Sequence, residues 1–180
     1  MTKELTQEVL QELLQYDSDT GVFTWRERDV KYFAVETNCK RWNTRYSGKV
    51  AGTADARGYI SIKLFKKIYL SHRLTFLYMT GEFPIEQVDH INQVKGDNRF
   101  CNLREVTHHE NGKNQSMHKN NTSGTVGVSW HKSANKWVAR IKVDGKVIHL
   151  GLFTDKQDAI TARELANIKY DFHINHGNST

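Results

Sequence analysis

Apolar positions change their spacing several times along the chain, and each change marks an expected element. Val9, Leu10, Leu13 and Leu14 recur at helical spacing, so a helix is expected over about Gln7 to Tyr16, ended by the turn DSDTG. Val22 to Trp25 then alternates as a strand and opens a hairpin. A polar, aromatic-rich stretch runs on through Trp42 and Tyr46. Beyond it, Gly58 to Leu64 and Ile68 to Leu70 read as two strands joined by Phe65-Lys66-Lys67. Ser71 is expected to cap a helix running to about Thr80, stopped by Gly81, with Pro84, the only proline, shortly beyond.

The stretch VDHINQVKGDNRFCNLREVTHHENGKNQS parses as a short strand ending at Asp89-His90, a polar loop, a second strand near Cys101 to Arg104, and a helix from about Val106. His118 to Ser123 form a polar linker. Val126 to Trp130, Lys136 to Val143 and Lys146 to Phe153 read as three antiparallel strands, with Asp144-Gly145 a hairpin turn. A helix from Thr154 to Tyr170 follows, with Thr154 as cap and Ala159, Ala162, Leu165, Ala166 and Ile168 as its apolar stripe. The expected class is α+β. An N-terminal basic α+β segment (1–69) and a central hairpin-helix (70–117) lead through the linker (118–123) to a three-stranded sheet packed on one helix (124–180). That last part is near the lower size limit for independent stability.

Composition narrows the function classes. No run of apolar residues is long enough to span a membrane, and the first residues read as an amphipathic helix rather than a cleavable signal. Cys39 and Cys101 have no nearby cysteine, so no metal knuckle or disulfide framework is indicated and an intracellular location is expected. The net charge of +6 points to a polyanionic partner. Residues 26–80 hold 12 basic against 4 acidic residues, 81–118 hold 4 against 6, and 119–180 hold 9 against 5. Two basic flanks therefore enclose an acidic middle, as expected if the flanks grip phosphates and the centre holds a cation.

That acidic middle contains the candidate chemistry. Phosphodiester hydrolysis needs a base to deprotonate water and a cation to stabilise charge on the phosphate and departing oxygen. His90 titrates near working pH and can serve as the base. Asp89 and Asn111 offer oxygen donors suited to a hard ion such as Mg²⁺ or Mn²⁺ that keeps several waters. Because side chains alternate across a strand, Asp89 and His90 are expected at its end, where curvature brings both toward one site. Asn102 is expected to bond across the hairpin and orient the His90 ring. His108 and His109 diverge by about 100° on a helix and so do not share a metal.

An isolated Asp-His pair is ordinarily a surface turn, but DHI, DNR, NLR and a following helix with Asn111 stand here in register. This combination resembles the HNH endonucleases, in particular their phage and intron-homing branch. The resemblance implies a metal-bound hairpin-helix (ββα) module over residues 70–117, with His90 as general base, Asn102 as structural asparagine and Asp89 and Asn111 as metal ligands. It also implies cleavage leaving 5′-phosphate and 3′-hydroxyl ends. Asp97-Asn98-Arg99 matches the family's loop signature, read as a turn lock, while NQVKGDNR departs from its usual shorter glycine turn. TGVFTW, GYISIKL and HRL are similar to the N-terminal part of phage HNH proteins.

GVSW, KWVARI, HLGLF and the alanine-bearing helix resemble the APETALA-type, or ethylene-response-factor, DNA-binding domain over about residues 122–172. The resemblance puts Trp130, Lys132, Trp137, Arg140 and Lys142 on a face that reads the major groove. Alternation supports part of this, placing Arg140 and Lys142 on one side of their strand and Ala139 and Ile141 on the other. Arg26, Arg28, Arg41 and Arg45, interleaved with Trp25 and Trp42, are candidates for tracking a DNA backbone. His72 and Arg73, at a helix start, are candidates for a phosphate contact, with a packing role for His72 as the alternative. The expected partner is double-stranded DNA, with a homodimer on DNA as one route to a double-strand break. Two other classes remain: a DNA-binding regulator with a catalytically silent scaffold, and a packaging protein that binds nucleic acid through charge alone.

Overall fold

The computed structural model describes residues 4–107, 110–111, 113, 117–118, 120–173 and 176–177. It forms two compact units, Met1–Val106 and Thr107–Thr180. In the first, the Thr6 hydroxyl accepts from Val9 N and starts α1 (Gln7–Leu13). The helix ends earlier than the apolar spacing predicts, because Leu14–Asp17 is a strand, β1, paired antiparallel with β2 (Val22–Trp25). Leu14 and Tyr16 satisfy helical and alternating spacing equally well, and the sheet partner decides between them.

Between them the Asp17 carboxylate accepts from Asp19 N and Thr20 N, and Gly21 follows at φ +73°. Sequence periodicity does not reveal α2 (Glu36–Tyr46), since Cys39 is its one buried residue. What holds it is polar and aromatic: Asn43 accepts from Arg28 N and donates to Arg28 O, and Trp42 packs edge-on to Trp25 at 5.4 Å.

A small sheet of β3 (Thr53–Ala54), β4 (Ile60–Leu64) and β5 (Lys67–Leu70) leads directly into α3 (Ser71–Thr80). Ser71 is the first helical residue rather than its cap, and Leu70 in the cap position makes no side-chain capping bond. Gly81 ends the helix as expected, in the left-handed region. Leu10, Leu13, Leu14, Phe23, Ile62, Leu64 and Leu74 form a core that unites α1, both sheets and α3. The central hairpin pairs β6 (Gln87–His90) with β7 (Leu103–Val106), and the first residues of the expected second strand are instead a 3-10 turn, Phe100–Asn102.

The second unit is the expected antiparallel sheet with one helix: β8 (Val128–His131), β9 (Lys136–Val143) and β10 (Lys146–Phe153), β9 central, backed by α4 (Lys156–Lys169). Asp155, not Thr154, caps α4 by accepting from Gln157 N. The buried face of α4 is Ala159, Arg163 and Ala166, whereas Leu165 and Ile168, expected in its stripe, are 62% and 79% exposed. Arg163 replaces them as a buried tie: its guanidinium donates to Val126 O at 2.9 Å and bonds Asn167 and the His176 ring. The expected linker is hydrogen-bonded too, since Ser123 donates to Asn121 Oδ1 at 3.1 Å and Thr125 O at 2.8 Å.

Gly21 fixes the first unit's geometry most tightly. A Cβ there would lie 2.4 Å from Arg99 N and 2.5 Å from the Asn98 carbonyl carbon, at a φ that L-residues rarely adopt. Gly21→Ala is expected to destabilise this unit by about 3 kcal/mol, read from urea unfolding.

Candidate active site on the central hairpin

Asp89 and His90 occupy the last two positions of β6 and are 8% and 4% exposed. Asp89 faces its cross-strand partner Arg104, whose Nε and Nη2 both donate to Asp89 Oδ2, at 3.0 and 2.8 Å. Two donors on one oxygen stabilise the carboxylate in a site with little water.

The loop between the strands is pinned from within. The sequence leads one to expect Asn102 to orient the His90 ring, but both ends of its amide face the loop. Its Oδ1 accepts from Asn92 N at 3.0 Å, and its Nδ2 donates to Asn92 Oδ1 at 3.0 Å and Asp97 O at 2.9 Å. Arg99 forks onto Asp97 at 2.8 and 2.6 Å and holds its carboxyl down at about 2. The residue that meets the ring is Asn98, with Oδ1 3.3 Å from His90 Nε2.

A second imidazole stands beside the first. His72 is 5% exposed, its ring is edge-on to His90 with centroids 5.2 Å apart, and its Nδ1 is buried without a hydrogen-bond partner. Burial, helped by the charge of His90, pushes the His72 pKa down to about 4, and burial lowers that of His90 as well. His72 is thus a packed neutral residue, which favours the structural alternative over a phosphate contact. Arg73 donates to Pro84 O at 2.6 Å and Glu86 O at 3.2 Å, bracing the chain that enters β6. Tyr59 completes the cluster 6.0 Å from the His90 ring, with Arg57 at 5.5 Å and Lys95 at 5.2 Å from its own ring. Sequence reasoning misses these two exposed cations beside the hairpin, because Arg57 and Lys95 carry no motif.

Asn111 belongs to the second unit, in the first turn of a helix. That turn starts with a capping box: Thr107 N and Oγ1 donate to Glu110 Oε2, and Thr107 Oγ1 accepts from Glu110 N. His108 and His109 lie outside the described residues. Among the described residues no three His, Cys, Asp or Glu side chains are gathered for a metal. Asp89 by itself offers carboxylate oxygens, donors that suit a hard ion completed by water and phosphate rather than zinc.

Residues 69–113 match the HNH endonuclease family. Protein 3.8 of Escherichia phage T7 is 36% identical over 87 residues, covering 48% of this chain and 72% of that protein. The chain belongs to the protein 3.8 family and carries an HNH endonuclease domain. The structure described as DNA binding and cleavage by the HNH homing endonuclease I-HmuI aligns over 91% of this chain and 87% of that one, at 22% identity and a TM-score of 0.39. Within the HNH domain, Asp89, His90, Asn98 and Asn102 all lie on the one hairpin.

Outside the HNH domain the candidate DNA residues separate by environment. Arg26, Arg41 and Arg45 are exposed, but the Arg28 guanidinium is sandwiched 4.8 Å from the Trp25 ring and 3.9 Å from that of Trp42, and burial lowers its pKa to about 10. In the second unit Arg140 and Lys142 are exposed while Ala139 and Ile141 are buried, as alternation predicts. Trp137 departs from the expected reading face. It packs on the core of Val128, Ala139 and Ala159 and edge-on to its cross-strand partner Trp130 at 5.3 Å, so both indoles lie on the side opposite Arg140. Lys132 is exposed in the 3-10 turn beyond β8. No helix among the described residues is long and apolar enough to cross a membrane.

His72 gives the first unit a pH dependence of known sign. Its folded pKa of about 4 lies below the ordinary 6.5, so the unfolded chain takes up the proton first. Stability is fully present above about pH 6.5 and is lost as pH falls toward 4, by up to about 3 kcal/mol. Amide exchange in α3 and β4 across this range measures the loss, and His72→Gln is expected to flatten it.

Proposed function

We propose that this protein is a metal-dependent HNH endodeoxyribonuclease of phage or mobile-element type. The observation that supports this best is the buried Asp89-His90 pair at the end of β6, inside the stretch that matches the HNH endonuclease family. His90, kept neutral by burial, takes a proton from water. The water oxygen bonds to phosphorus, the bond to the 3′ oxygen breaks, and that oxygen leaves with the electron pair and is protonated from solvent. The products are 5′-phosphate and 3′-hydroxyl ends.

Asp89 and Asn111 are assigned on the motif as holders of a divalent ion, Mg²⁺ or Mn²⁺. When bound, the ion would supply charge stabilisation at the phosphate and the departing oxygen. Asn102 acts by pinning the loop that ends at the 3-10 turn. On the motif, residues 70–117 would be the family's ββα-metal module.

Double-stranded DNA is the substrate. Arg57 and Lys95, flanking the Tyr59 ring near His90, are suited to neighbouring phosphates. Arg26, Arg41 and Arg45 extend the basic surface, while Arg28 acts by fixing the two tryptophans. The second unit, a three-stranded sheet on one helix, serves as an APETALA-type docking domain that presents Lys132, Arg140 and Lys142. One HNH site cuts one strand, so a double-strand break requires a homodimer on DNA or a second binding event. The alternative of a silent HNH scaffold in a DNA-binding regulator draws on Asp89, whose carboxylate Oδ2 already carries both Arg104 bonds.

Plasmid nicking with Mg²⁺ or Mn²⁺ separates these readings. Cutting abolished by EDTA and lowered about 10²–10⁴-fold by His90→Ala supports the nuclease. Full activity in His90→Ala removes it, and tight binding without cutting of plasmid or source-genome DNA favours the regulator. Replacing Arg140 and Lys142 by Ala is expected to weaken DNA binding and to reduce the salt slope by roughly one for each phosphate no longer neutralised, with stability unchanged. Trp137→Ala is expected to cost about 3 kcal/mol in unfolding of the second unit.

A further inference from the structure

A cleft of about 580 Å³ lies wholly within the second unit, a size that accommodates a small organic ligand. Val126, Ile141 and Val143 give it an apolar wall, the last two on one side of β9 by alternation. Phe172 also lines it, and two lining cations stand by that ring, Lys113 Nζ at 5.9 Å and the Arg163 guanidinium at 5.1 Å from its centroid. Arg140 and Lys142 border the cleft as well, so among the described lining residues four cations stand against one carboxylate, Asp144.

The chain after α4 builds this end of the cleft. It reverses at Asp171, in the left-handed region at φ +55°, and Phe172 N returns to Asn167 O at 2.9 Å. His173 N then donates to Lys113 O at 3.2 Å and ties the lysine backbone to the same turn. Gly127 leaves room for Arg163, since a Cβ there would lie 2.6 Å from Arg163 Nε. Arg163 is 2% exposed, and burial lowers its pKa to about 10, so it is still charged at neutral pH. Its described partners are the Val126 carbonyl, the Asn167 amide oxygen and the His176 and Phe172 rings, none of them a carboxylate. A guanidinium has five N–H donors, and these hydrogen bonds use three. A buried cation with donors to spare and no counter-charge is stabilised by an anion.

We infer that this cleft binds a nucleoside monophosphate, with the phosphate at Lys113 and Arg163 and the base along Val126, Ile141 and Val143. A phosphate monoester carries close to two negative charges at neutral pH, which the two cations match. Inorganic phosphate would leave the apolar wall in water, and an uncharged nucleoside would leave the guanidinium without a counter-charge. The joined ligand meets both needs. The same chemistry exists in a free nucleotide and at the 5′-phosphorylated end of a DNA strand. No residue of the β6–β7 hairpin takes part, so the site goes beyond the nuclease reading and does not depend on it.

Titration of the methyl-labelled full-length protein with deoxyadenosine 5′-monophosphate, without metal, tests the site. Saturable shifts are expected at the Val126, Ile141 and Val143 methyls, with inorganic phosphate and deoxyadenosine each bound at least about tenfold more weakly. Lys113→Ala is expected to weaken the nucleotide about tenfold and Lys113→Arg to restore most of the loss. Lys113→Gln, which keeps the apolar stem, takes the place of the Ala variant if that does not fold. No saturable shift at these methyls at millimolar nucleotide, equally tight binding of inorganic phosphate, or undiminished nucleotide binding in the folded Lys113 variant overturns the inference. Displacement of the nucleotide from the same methyls by a 5′-phosphorylated oligodeoxynucleotide supports a strand end as the natural ligand, and its absence supports the free nucleotide. Failure of the nuclease reading shows separately, as undiminished nicking by His90→Ala.

Discussion

The Tyr16 hydroxyl donates to Asn98 O and accepts from Phe100 N, joining the first hairpin of the chain to the loop of the central one, more than eighty residues later. A buried hydroxyl that both donates and accepts satisfies two backbone groups at once, and its removal would leave both to bear a desolvation cost. The ring that carries it is held at 4.9 Å by Phe23 and 5.6 Å by Tyr78, in the core shared by α1, α3 and both small sheets. The hairpin that bears Asp89 and His90 is thus stiffened by N-terminal packing. Two short strands alone would be marginally stable in water.

Much of this was legible in the sequence because pattern and tertiary structure agree. The alternation of β9 and β10, the Asp144-Gly145 turn and the Gly81 stop depend on local rules that the rest of the fold does not override. Where local rules gave two answers, the partner chosen by the fold decided. Leu14 joined a strand because β2 was there to pair with it. On α4 the helix rotated so that Arg163 faces inward and Leu165 outward, since the Val126 carbonyl and His176 supply the bonds that a buried guanidinium requires.

The exchange of parts between Asn98 and Asn102 was illegible for a different reason. Spacing from His90 says that both amides lie near the hairpin, but which one meets the ring depends on how the loop curls. That curl includes Gln93 at φ +64° and an Asn92–Asp97 bond at 2.7 Å. Neither feature has a composition signal. α2 escaped notice because its stability comes from Asn43, Cys39 and Trp42 gripping Arg28 and its neighbours, not from an apolar stripe.

Electrostatics in the hairpin follow a division of labour. Arg99 holds the Asp97 pKa down at about 2, so this carboxylate serves loop geometry, and Asn92 and Asn102 complete that knot. Asp89 is instead paired across the strand with the partly exposed Arg104, at 2.8 Å. His90 lies between these carboxylates yet is lowered in pKa, because burial outweighs their attraction. Packing of Tyr59 and His72 around the ring at the end of β6 therefore keeps it neutral, and does more to set its protonation than any one charge nearby.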